Sequence, residues 1–195
     1  NIDERYTIHF DMLQKYLEKE PKLFQLILEL VYKKNEEEEF DVMLWMDLFN
    51  THFEYLGDDL NLIKKSYIQQ DKIQSSFDYE QKGLLKILQK DSKFLIEYIN
   101  SLFSDSSGRL SSDRKNLQIV WELDDAEELL IAIFDLIIEK DTYYGILDHF
   151  CNAFFWNLQE PKKSRANKFI EQYVIDNNKD YKKIEIIVDI IRHSS

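Results

Sequence analysis

Leu129-Leu130-Ile131-Ala132-Ile133-Phe134-Asp135-Leu136-Ile137-Ile138 is the stretch that decides the fold. Asp124 and Glu127 precede it in the spacing of a helix capping box, and Lys140 closes it. No Gly or Pro interrupts it, and its apolar residues point to nearly all sides of a helix. A helix apolar all round must be packed on several sides, so this one predicts an inner helix at 125–140 with other helices around it.

The neighbours show the same period. Leu95, Tyr98, Ile99 and Leu102 stand at i, i+3, i+4 and i+7, as do Ile184, Ile187, Val188 and Ile191. Ala166, Phe169, Ile170, Tyr173 and Val174 form one stripe, and Leu23, Leu26, Ile27, Leu30 and Val31 another. Val42, Trp45, Met46, Phe49 and Phe53 line a second helix of inner character. Pro21 suits a first helical turn, Asp91, Asp141 and Asp180 suit N-caps, and Gly57 suits a position just past a helix end. Eleven helices follow from this reading, at about 4–18, 21–34, 40–55, 59–74, 78–90, 92–104, 113–122, 125–140, 142–158, 162–176 and 180–193. Ile119-Val120-Trp121 could make a short strand but is read as helix. The fold class is all-α. With only four Gly and two Pro, the chain lacks the turn residues that a sheet-rich fold requires.

A short pattern recurs between helices. Leu17-Glu18-Lys19-Glu20 is echoed by Leu88-Gln89-Lys90-Asp91 and by Ile138-Glu139-Lys140-Asp141. A Lys closes one helix and an acid opens the next, so antiparallel pairs can meet through a minimal turn. Such pairs in series build α-solenoids. These turns, together with the run 152–192, resemble the HEAT-like helical regions attached to large bacterial NTPase or defence proteins. The resemblance covers mostly residues 85–193. It implies an irregular stack of helix pairs acting as a sensor, scaffold or autoinhibitory segment. A compact multi-helix bundle is the alternative arrangement. The expected organisation is a single all-α domain over 1–195, part of a larger protein. Possible sub-units 1–104 and 113–195 would be separated by the Ser/Asp/Gly-rich stretch 104–113.

Composition narrows the function. Hydrophobic residues are 44% of the 195, ample for a core, and the formal charge is −12. Residues 162–195 hold eight Lys and Arg against five Asp and Glu, so the remainder carries −15. That balance opposes non-specific binding to nucleic acid or to an anionic membrane surface. No apolar run approaches the roughly 18 residues of a membrane span. The lone Cys151 permits no internal disulfide and fits a reducing cytoplasm. Abundant Lys, Asn, Ile, Glu and Tyr fit a bacterial source.

No residue pattern in the chain carries a catalytic signature. His149 and Cys151 are i and i+2 on one helix and point apart, and Cys151 shares the stripe of Ile146, Leu147, Phe150 and Phe154. His9 with Asp11, and His52 with Glu54, have the same unfavourable spacing, and no His-Glu-x-x-His or Glu-x-x-His motif occurs. Arg5 and His9 are too close for the Arg/His pair of helical nucleases. Four scattered Gly cannot form a phosphate loop. Tyr181-Lys182-Lys183 and Pro161-Lys162-Lys163-Ser164-Arg165 read as helix surface. No catalytic, metal or cofactor residue is therefore assigned.

Aromatic residues carry the remaining expectation. Phe154-Phe155-Trp156 cannot all face one core from one helix. Phe155 and Trp156, with Trp45 and Trp121, are the candidate interface residues, because Trp and other large aromatics anchor protein contacts. Packing against a neighbouring helix pair is the competing use of the same side chains. The expected function is a non-enzymatic interaction module binding a protein or peptide. An all-α enzyme or nuclease with dispersed residues is one alternative. An acidic mimic of nucleic acid, occupying a basic partner, is the other.

Overall fold

A computed structural model of the chain describes residues 15–16, 19–20, 22–37, 60–73, 78, 80–103, 117–140, 150 and 152–194. Every regular element among them is helical. They are α1 (Lys22–Glu37), α2 (Leu60–Ile73), α3 (Lys82–Lys90), α4 (Phe94–Phe103), α5 (Ala126–Lys140), α6 (Lys162–Asn177) and α7 (Tyr181–Ser194), with a 3-10 turn at Gln118–Glu122 before α5. The all-α class holds for the described residues. The chain falls into two compact units, Asn1–Ile87 and Leu88–Ser195, and the division lies inside α3. The stretch 104–113, where the sequence suggested a break, lies outside the described residues, as do most of the expected helices 4–18, 40–55 and 142–158.

Seven α-helices and one 3-10 turn lie among the described residues, where the sequence suggested eleven helices over the whole chain. Residues 113–122, expected as an α-helix, show only the 3-10 turn over their described part. Leu117 precedes that turn and Leu123 leaves it in extended conformation, so no α-helical turn propagates. The described helices of the second unit gather round α5, which meets α4, α7 and the 3-10 turn, while α6 meets the 3-10 turn and α7.

In the first unit, α1 lies against α2, and the Gln69 amide donates to the Tyr32 carbonyl at 3.3 Å. Leu28 is buried on α1, but Leu26 and Leu30 of the expected stripe are exposed. α3 begins at Lys82, later than expected, because Asp78 organises the turn before it. Its carboxylate accepts from the Leu84 N–H at 2.8 Å and the Gly83 N–H at 3.2 Å, and Tyr67 Oη donates to it at 3.0 Å. Asp78 and Gln81 both take positive φ, a conformation that non-glycine residues hold only where such bonds fix it. Burial pushes the Asp78 carboxyl above its ordinary value, and the bonds from Leu84, Gly83 and Tyr67 work against that rise.

In the second unit, α3 ends at Lys90 and α4 starts at Phe94 through the Lys-Asp turn noted in the sequence. Asp91 Oδ1 accepts from the Lys93 N–H at 3.2 Å, and Ser92 Oγ donates to Asp125 Oδ2 at 2.5 Å, just before α5. α5 buries Ala126, Leu129, Leu130, Ile133, Phe134 and Ile137, while Ile131 is exposed. Burial thus falls on one broad face of this helix. Asp180 caps α7 by accepting from the Lys183 N–H at 3.3 Å.

Candidate interaction surface

The second unit is organised around five aromatic side chains. Trp121 meets Phe155 edge-on at 5.5 Å between ring centroids and Phe169 at 6.0 Å. Phe134 contacts Phe155, Phe169 and Tyr173, at 6.3, 6.0 and 5.6 Å. They come from the 3-10 turn, from α5, from the helical residues 152–155 and from α6, so the cluster ties four segments together. The Tyr173 hydroxyl is buried without a hydrogen-bond partner, and that desolvation pushes its pKa up.

Polar bonds fix the frame around these rings. The Trp121 indole Nε1 donates to the Phe154 carbonyl at 2.9 Å, and the Leu117 N–H donates to the Ala153 carbonyl at 2.8 Å. The Gln118 amide also donates to the Trp156 carbonyl. Together they stitch the 3-10 turn alongside 152–156. Arg165, near the start of α6, closes the other side. Its Nη1 donates to the carbonyls of Leu123 at 2.7 Å and Trp121 at 3.1 Å, and Nη2 donates to the Asp124 carbonyl at 3.0 Å. Nε and Nη2 grip the two Glu127 oxygens, each at 2.6 Å. The guanidinium therefore holds the link from the 3-10 turn into α5, and the Arg165 hydrogen bonds keep the Glu127 carboxyl below its ordinary value. Lys162 adds an ion pair to Glu122 at 2.7 Å.

The four candidate interface residues separate under this geometry. Trp121 and Phe155 are buried, at 4% and 5% exposure, and pack against each other. Trp156 is 59% exposed. Successive residues of a helical turn point about 100° apart. Phe154 and Phe155 therefore face inward while Trp156, whose N–H still bonds the Asn152 carbonyl, faces out. Asn157 takes positive φ, which Asn tolerates, and ends the helical turn immediately after it. Trp45 lies outside the described residues, as do His9, His52, His149 and Cys151.

Sequence reasoning missed a second exposed apolar group. On α7, Ile186, Ile187 and Ile190 are buried, whereas Tyr181, Val188 and Ile191 are exposed at 82%, 41% and 56%. With half-buried Ile184 they follow the spacing i, i+3, i+7 and i+10, so one helix carries two apolar stripes. The sequence stripe Ile184, Ile187, Val188 and Ile191 merges the two. A clue was present, since the run Ile184 to Ile191 has too many apolar residues for a single buried face. Lys183, beside the outer stripe, is tied to Asp135 of α5 at 2.8 Å, which holds α7 in this rotation.

Among the described residues no three His, Cys, Asp or Glu side chains stand together as metal ligands. None of their helices is long and apolar enough to cross a membrane. Compared with known proteins, the chain matches no family model, no curated protein and no solved structure.

Proposed function

We propose that this chain is a helical interaction module and that the outer face of α7 receives an amphipathic helix from a partner protein. The observation that carries the reading is the exposed stripe of Tyr181, Val188 and Ile191 on a helix whose inner residues Ile186, Ile187 and Ile190 are buried. Exposed apolar side chains in a continuous row lose contact with water when another helix is laid along them, at about 25 cal/mol per Å² covered. Trp156 is a separate exposed aromatic of the same unit and supplies a second anchor type. The expectation of a HEAT-like segment within a larger bacterial protein belongs to this proposal too. The Lys90-Asp91 link between α3 and α4 supports it.

The test pairs wild type with Val188→Glu/Ile191→Glu. Both side chains point outward, so circular dichroism and the thermal midpoint are expected to stay the same. Proteins cross-linked to the wild-type chain in its native cells are then compared quantitatively with those cross-linked to the variant. A partner retained by the wild type and lost by the variant is expected, with its cross-links mapping to 179–192. Identical partner sets, or partners mapping elsewhere, would refute the assignment to α7.

A further inference from the structure

We draw no further inference here: the strongest candidate, the Ser66 hydroxyl and Gln70 carboxamide buried one turn apart on α2 without hydrogen-bond partners, carries nothing because the structure does not show what faces either group.

Discussion

Removing the Arg165 side chain should loosen the second unit out of proportion to its surface position. The guanidinium makes five hydrogen bonds, three to the carbonyls of Trp121, Leu123 and Asp124 and two to Glu127. The Glu127 pair is about a third exposed on both sides, so water screens it and it contributes about 0.5–1 kcal/mol. The three carbonyls are fixed in a turn, and each bond is worth about 0.5–1 kcal/mol after competition with water. Arg165→Ala should therefore cost about 2–4 kcal/mol. That corresponds to a midpoint roughly 4–16 °C lower for a chain of this size, or about 1–2 M less urea. Equilibrium urea unfolding, followed by tryptophan fluorescence and circular dichroism, reads the change. Arg165→Lys keeps the charge but lacks the planar fork, and should recover less than half of the loss. A double-mutant cycle with Glu127→Ala should return a coupling of about 0.5–1 kcal/mol, leaving the carbonyl share untouched. A loss below about 0.5 kcal/mol for Arg165→Ala, or full recovery by Lys, would refute the account.

Further outcomes follow from the same geometry. Because Arg165 lowers the Glu127 pKa, the stability from that pair is present above the unfolded carboxyl value and is lost as pH falls through the lowered folded one; acid titration of Arg165→Ala should lack that limb. Asp78 behaves oppositely. Its folded pKa is raised, so its ionisation removes stability as pH climbs from the ordinary carboxyl value through the raised one, and Asp78→Asn should abolish that decline in a pH series of melting curves. Trp121→Phe leaves the Phe154 carbonyl without its donor and should cost about 1–3 kcal/mol, while Phe134→Ala should cost about 3–5 kcal/mol, both by urea unfolding. In a Trp45→Phe background, acrylamide should quench Trp156 strongly and Trp121 hardly at all; equal quenching after Trp156→Phe would contradict their placement.

The helices α4 to α7 were legible because each carries several turns of apolar period, and the expected bounds 125–140 and 162–176 differ from the observed ends by one residue. The 3-10 turn was not. Ile119-Val120-Trp121 is too short to show a period of its own, and its shape depends on bonds that Gln118 and Trp121 donate to carbonyls some 30 to 40 positions later. Arg165 was equally hidden. In the sequence it is one of three basic residues after Pro161, while its partners lie around Trp121 to Glu127. Glu127 could be read as half of a capping box, but α5 opens at Ala126 and the carboxylate turns to Arg165 instead. The aromatic run was legible as a conflict, since three neighbours could not share one core. Which of them would turn outward depended on the packing of Phe155 against Trp121 and Phe134, residues distant in sequence.

The bonds that frame the second unit are lopsided in a way that bears on sequence drift. Arg165, Trp121 and Gln118 give their hydrogens to main-chain carbonyls at Trp121, Leu123, Asp124, Phe154 and Trp156. A carbonyl survives any substitution of the residue that bears it, whereas each donor belongs to one side-chain type. In a deep mutational scan read for folded protein, positions 124 and 156 should accept many residues and position 165 almost none, despite comparable involvement in the same contacts. Two chains could preserve this frame while sharing little more than an arginine, a tryptophan and the pattern of apolar faces around them.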